Sequence, residues 1–294
     1  MNRESGVFAR RQLLALGHSA NDIRRALEAG DLTRLRNGWF AIGSADQDVA
    51  AAVRSSGALS CVSVLRWHGL WVSPGYDSLH VRRVRTADGN RPSCAPDGRR
   101  LPVTQAVDPV PVALACATRC MKAEDWIAAC DSYFNATGTG IADLEEALGV
   151  LSPRMRRLLD KTDRRSQSGT ESVVRVRLRA RGFHVEVQPR IAGVGRVDLR
   201  VGRLLIECDG EQYHSDRDAY RNDRRRDRRA TIDGWIPMRL TYGDVMFGWA
   251  ASEADIDAIT SADRHRIRSR RAIAALHRSG GYGSSGGDLP PEWP

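Results

Sequence analysis

Arg196-Val-Asp-Leu-Arg-Val-Gly-Arg-Leu-Leu-Ile-Glu-Cys-Asp-Gly210 is the stretch on which the reading of this chain turns. It divides into two short strands joined by Gly202-Arg203, and a glycine at the first central position suits a tight two-residue hairpin turn. That turn sets Val201 opposite Leu204, and counting back along the ladder sets Asp198 opposite Glu207. Residues so opposed share a face, with Cβ atoms ~5 Å apart. Two carboxylates at that spacing in a half-buried sheet repel each other unless a cation or a proton intervenes. Asp209 is expected on the same face, opposite Arg196. A divalent metal is the simplest occupant, because hard cations such as Mg²⁺ are held by one or two carboxylates plus water and phosphate oxygens. The plainer reading has these acids capping strand ends or pairing with nearby arginines. The continuous apolar run Leu204-Leu-Ile206 argues for a strand covered on both faces, where a cluster of charges is not incidental.

The flanks extend this hairpin into a unit. Ser168-Gly-Thr-Glu171 has capping-box spacing, Val173, Val174, Val176, Leu178 and Ala180 supply an apolar helix side, and Gly182 ends it. Glu171 then lies on the first turn. Phe183 to Gln188 alternates and stops at Pro189, as a strand does. Beyond the hairpin come a highly charged helix over Tyr220 to Ile232, a strand over Trp235 to Leu240, and a closing helix opened by Thr241-Tyr-Gly-Asp244. The predicted order is helix, three strands, helix, strand, helix.

From Glu171, Val197-Asp198, Ile206-Glu-Cys-Asp-Gly210 with His214 and Ser215, then Asp223, Arg226, Asp227 and Gly234-Trp235 through Arg239, residues 168 to 250 resemble the restriction-endonuclease-like superfamily with the PD-(D/E)XK core. Within it, the likeness is to the branch related to very-short-patch-repair endonucleases. The resemblance implies an α/β/α domain with a mixed central sheet and metal-dependent phosphodiester hydrolysis. Asp198, Glu207 and the carbonyl of Cys208 would hold Mg²⁺, for which Mn²⁺ would substitute, and Glu171 would complete the shell or hold a metal-bound water. The usual lysine of the (D/E)XK triplet is absent, and Asp209 stands in its place. The chain has only two lysines, Lys122 and Lys161, so none in this region can move in to replace it. His214 is the candidate general base or acid, since imidazole titrates near neutral pH, and Gln212 could assist by hydrogen bonding. A histidine just past a strand is also a common surface residue.

The N-terminal region carries a separate signal. Phe8 to Leu16 can form a short helix, Gly17-His18 breaks it, and Ser19 to Ala29 forms another with Ile23, Ala26 and Leu27 on one face, ended by Gly30. Leu32 to Arg36 and Trp39 to Ile42 flank Asn37-Gly38, a strong hairpin signal. Helix, turn, helix, hairpin reads as a winged helix-turn-helix. Through Arg24, Arg25, Leu35, Asn37, Gly38 and Trp39 it resembles the N-terminal domain of AbiEi-type antitoxins. In a DNA-binding reading Asn21, Arg24 and Arg25 face the major groove, with Glu28 beside them, while Arg34 and Arg36 on the wing meet phosphate. A small helical domain that only scaffolds or contacts protein is the alternative.

Residues 46 to 165 read as a mostly helical, antitoxin-like connector. Helices are predicted around Val49–Val53, Ser60–His68, Pro111–Cys120, Glu124–Tyr133, Ile141–Leu148 and Pro153–Asp160, with a strand at Leu79–Val84 and a loop over 86–100. The six cysteines show no metal-type spacing and read as reduced thiols rather than disulfides or a zinc site, with Cys116 and Cys120 packing in the core.

The chain as a whole is therefore expected to be a multidomain α/β protein. Residues 1–45 form the winged helix, 46–165 the connector, 166–260 the nuclease-like domain, 261–278 a basic extension and 279–294 a disordered Gly/Ser tail. A length of 294 residues and 41% apolar composition suit two or more domains, and the absence of a signal peptide or long apolar run suggests a soluble, cytoplasmic protein. The formal net charge of +9 favours a polyanionic partner, though an arginine-rich genome would produce the same bias. Placement says more: Arg221, Arg225 and Arg226 crowd the helix after the acidic cluster, interleaved with aspartates that pair with part of them. Arg264, Arg266, Arg268, Arg270 and Arg271 form a further basic stretch. The functional expectation is a Mg²⁺-dependent DNA endonuclease acting on duplex DNA, mismatched or nicked duplexes included, in repair or in defence against foreign DNA, as a monomer or homodimer. The other reading is a non-catalytic, antitoxin-like DNA-binding regulator that keeps a degenerate nuclease fold as a clamp.

Overall fold

A computed structural model of the chain describes residues 4–83, 93–98, 101–209, 217–261 and 265–266, with backbone alone for 217–223. The chain is mixed α/β and divides into two compact units, Met1–Arg177 and Leu178–Pro294.

In the first unit, β1 (Val7–Ala9), α1 (Arg10–Ala15), α2 (Ala20–Ala29), β2 (Leu32–Arg36) and β3 (Trp39–Ile42) come first, and the strands form an antiparallel sheet of order β1-β3-β2. Ser19 starts α2 through a reciprocal exchange with Asp22, and Gly30 ends it with φ of 84°. Leu13, Ile23 and Phe40 make a small core onto which Phe8, Leu27 and Leu32 pack. The Asn37-Gly38 hairpin forms, but only Gly38 has positive φ, and a register shift between Arg34 and Arg36 absorbs the difference.

Then follow α3 (Gln47–Arg54), β4 (Gly57–Leu59), α4 (Cys61–Trp67), β5 (Val81–Arg83), α5 (Val110–Ala117), α6 (Ala123–Thr137), α7 (Ile141–Leu148), α8 (Pro153–Leu159) and α9 (Gly169–Ala180). One hydrophobic core runs from Val7 and Trp39 through α3–α5 to Leu159, so the N-terminal strands and the connector helices share their interior. Seven of the eight residues of α5 are buried, as an apolar-all-round helix requires. Trp126 of α6 is fully buried and donates its indole N–H to the Leu114 carbonyl at 2.9 Å.

Two buried ion pairs stitch this unit. Arg82 grips Asp108 with Nε and Nη2, both at 2.6 Å, and donates also to the carbonyls of Leu101 and Pro102. Arg175, fully buried, donates to Asp131 at 2.5 Å, and Asp131 also accepts from the Ser172 hydroxyl and the Asp163 N–H, both at 2.7 Å. Such pairs offset their desolvation only because the remaining oxygens are also hydrogen-bonded. All six cysteines are free thiols, as the sequence reading expected, and Cys61, Cys94 and Cys120 are gathered around His80.

The second unit contains β6 (Glu186–Val187), β7 (Arg190–Ile191), β8 (Gly195–Arg196), β9 (Leu199–Val201), β10 (Leu204–Cys208), α10 (Arg217–Ile232), β11 (Ile236–Leu240), α11 (Tyr242–Met246) and α12 (Trp249–Thr260). Its main sheet has order β11-β10-β9-β6, with β10 and β11 parallel and the other pairs antiparallel. The helix α10 supplies the crossover that a parallel pair demands. Leu204, Leu205 and Ile206 are all buried, as the apolar run implied. Gly202 turns β9 into β10 with φ of 60°, and Val201 faces Leu204. Ile191, Val194, Val197, Leu205, Ala230 and Trp235 form a core cluster.

Two expectations are corrected here. The strand over Phe183 to Gln188 shortens to Glu186–Val187. Arg196 does not face Asp209: it pairs with Arg190 in the small β7–β8 hairpin, which the glycines at 193 and 195, both with positive φ, allow to fold back on itself. The residues from 267 onward, 84–92 and 99–100, on which the expected loop and basic extension fall, and Gly210–Asp216 lie outside the described residues.

Candidate functional site

The polar residues of the second unit converge at the C-terminal end of β10. The β9–β10 ladder ends at Leu199 opposite Ile206, and Asp198 sits one residue past it, on a bend at the position opposite Glu207. Three hydrogen bonds fix Asp198. Its Oδ2 accepts the backbone N–H of Cys208 at 2.8 Å, its Oδ1 accepts the Gln188 side-chain amide at 3.1 Å, and its carbonyl accepts the Gln188 N–H at 2.8 Å. Gln188 in turn accepts from Arg196, and it holds this bridging position with φ of 55°, a left-handed conformation unusual for a residue with a side chain.

Glu207 lies beside Asp198 within hydrogen-bonding reach. Burial, first, and the Asp198 charge, second, push its carboxyl up to about 7, against the opposing pull of Arg226 and Arg239. Arg226 of α10 reaches Glu207 at 3.2 Å while anchoring itself on the carbonyls of Val194 and Arg196. Arg239 is the parallel-register neighbour of Glu207 on β11, and it bridges Asp209 at 3.2 Å and Asp227 at 3.1 Å. The site is thus an acidic pair with two more aspartates nearby, threaded by two guanidinium groups. Cys208 is buried, and its N–H is committed to Asp198.

Glu171 belongs to the first unit. It is 4% exposed on the first turn of α9, where its N–H donates to Ser168 Oγ at 3.2 Å and its carboxylate accepts the Gln167 N–H at 3.0 Å. The capping-box spacing is therefore used, with the return bond landing one residue earlier than Ser168. Gln212 and His214 lie outside the described residues, as does the side chain of Arg221.

In the N-terminal region, Asn21, Arg24 and Arg25 are exposed on α2. Arg24 lies 3.9 Å from Glu28, and Arg25 pairs with Asp22. On the hairpin, Arg34 is exposed with its guanidinium 5.9 Å from the Phe40 ring centre. Arg36 is half-buried over Trp39, 5.2 Å from the ring centre, and burial lowers its proton affinity. Arg225 is exposed on α10, whereas Arg226 is engaged with Glu207.

Sequence reasoning missed Gln188 altogether, set Arg196 opposite Asp209, and named Arg239 only as part of the last strand. A polar residue before Pro189 was visible, but its left-handed backbone was not. The place of Arg239 beside Glu207 depends on a parallel pairing across α10 that local spacing does not encode. The chain matches no known protein family and no curated protein. Among the described residues no helix is long and apolar enough to cross a membrane.

Proposed function

We propose that the protein is a metal-dependent DNA endonuclease whose acidic site is built on Asp198 and Glu207. The observation that carries this reading is the closeness of these two partly buried carboxyls, which drives Glu207 toward holding a proton near neutral pH. A site that retains excess negative charge at that cost in stability is suited to a cation. The hard oxygen donors fit Mg²⁺, with Mn²⁺ able to substitute, and Asp198 and Glu207 would hold it. When bound, the ion would supply Lewis-acid activation of a phosphodiester and of water.

The chain's own groups then have defined tasks. Gln188 and the Cys208 N–H fix Asp198 in orientation. Arg239, in the absence of the usual lysine, brings a permanent positive charge next to Glu207, and with Arg226 it offers two guanidiniums able to grip phosphate oxygens. Asp209 and Asp227 hold Arg239 in place. His214 and Gln212 as proton-transfer groups remain part of the proposal. The exposed Asn21, Arg24, Arg25 and Arg34 support DNA docking through a winged-helix arrangement at the N-terminus, and Arg221 and Arg225 support backbone contact along α10.

A second reading has its own support. The Arg226–Glu207 and Arg239–Asp209 pairs neutralise the cluster from within, as in a nuclease fold kept as a DNA-binding clamp by an antitoxin-like regulator. Supercoiled plasmid, a mismatched duplex and a single strand incubated with Mg²⁺, Mn²⁺ or EDTA separate the two. Metal-dependent nicking that vanishes in both Asp198→Asn and Glu207→Gln supports the enzyme. Intact substrates together with a gel shift of duplex, lost in the double variant Arg24→Ala and Arg25→Ala, replace it with the regulator.

A further inference from the structure

Cys61, His80, Cys94 and Cys120 of the first unit come from four separate places in the chain, yet their donor atoms all lie within 4.8 Å of one another. Cys61 is the first residue of α4, fully buried, with φ of 53°. His80 precedes β5; its carbonyl accepts the Ser60 N–H at 3.0 Å and its N–H donates to Ser63 Oγ at 2.9 Å, so residues on both sides of Cys61 are tied to it. Cys94 is held by its N–H to the Val81 carbonyl at 2.9 Å, and Cys120 lies on the turn after α5.

We propose that these four side chains form a structural Zn²⁺ site. Tetrahedral zinc, with bonds of ~2.3 Å to sulfur and ~2.0 Å to nitrogen, sets ligand atoms roughly 3.8 Å apart for sulfur pairs and roughly 3.5 Å for a sulfur and a nitrogen. Cys94 Sγ is 4.0 Å from Cys120 Sγ and 3.4 Å from His80 Nδ1. A disulfide needs its sulfurs at ~2.05 Å, so the arrangement is that of ligands around a shared centre. The Ser78 hydroxyl lies 3.3 Å from His80 Nε2 and can accept its proton-bearing edge, which leaves Nδ1 free to bind: the outer bond that orients most ligating histidines. Three thiolates and one imidazole select zinc over Mg²⁺, and four protein ligands close the sphere, which makes the role structural. Its ligands all belong to the first unit, and its metal is of a different class from the one proposed for the acidic residues.

The test is metal content and cobalt spectroscopy on the full chain, purified under reducing conditions with zinc supplied. One equivalent of zinc per chain is expected. Replacement by Co²⁺ should give intense visible bands of tetrahedral coordination with a thiolate charge-transfer band. Cys94→Ser should lose the metal, whereas His80→Cys should keep it and shift the cobalt bands, which separates ligand loss from failure to fold. Asp198→Asn should retain full zinc whether or not it cuts DNA. A folded wild-type chain that takes up no stoichiometric zinc, or that shows a Cys94–Cys120 disulfide when freshly reduced and refolded with zinc, overturns the proposal.

Discussion

Glu207 carries a conflict that pH can expose. Its ordinary carboxyl value of 4.5 is raised to about 7 in the folded chain, so the folded state binds the extra proton between these values. Stability should therefore fall as pH rises from 4.5 to 7 and level off above, a change of about 3 kcal/mol from this group at ~1.4 kcal/mol per unit. Glu207→Gln should unfold at a higher urea midpoint than wild type at pH 8, and the advantage should disappear near pH 4.5. Added Mg²⁺ should raise the wild-type midpoint at pH 8 and leave the Gln variant nearly unchanged. Gln188 adds a second prediction at this scale. Gln188→Gly removes the left-handed strain at φ of 55° but also one bond to Asp198. Fold stability should hold or improve, while the Mg²⁺ needed for half-maximal plasmid nicking rises by roughly tenfold, the usual cost of a lost outer-shell partner. The opposition of Asp198 and Glu207 was legible in the hairpin count, but the Gln188 contacts were not, because Arg196 was expected against Asp209 and the turn between β7 and β8 instead diverts it to Gln188.

Elements whose signals were local came through well. The Gly202 turn, the buried run of β10 and the caps of α2 and α11 follow from residues within four positions of each other, and the structure contains all of them. Elements set by distant partners did not: the parallel register of Glu207 with Arg239 is decided by how α10 packs, and the bulge in the β2–β3 hairpin by how Arg36 covers Trp39. Glycines sort by the same criterion. At Gly202, φ is +60° and a Cβ would come within 2.2 Å of the His265 carbonyl oxygen, whereas at Gly30, with φ of +84°, it would meet nothing within 4 Å. Gly30→Ala should cost only the left-handed backbone term of about 1–2 kcal/mol, and Gly202→Ala that plus a further ~1–3 kcal/mol of overpacking, read from thermal unfolding. Equal losses at the two sites would contradict this account of the hairpin.

At the scale of the whole molecule, composition pointed to basic character and buried cores but not to where its charges and thiols would be spent. Arg82, Arg175 and their aspartates lie inside the first unit, and the cysteines gather from spacings too long to resemble a metal motif. Asp131→Ala leaves Arg175 charged and sealed from water, and should destabilise the chain by about 3–5 kcal/mol in denaturant titration. The paired change Asp131→Leu with Arg175→Met should recover most of that loss. Topology also sets a timetable. The β9–β10 hairpin closes over a two-residue turn, while Leu204 meets its β11 partner Ile236 only after the whole of α10 has been made. Asp198 and Glu207 are thus brought side by side before Arg226 and Arg239 arrive to temper them. A nascent chain leaving the ribosome passes through an interval of unrelieved repulsion, and refolding of the second unit should run faster in mild acid than at pH 8.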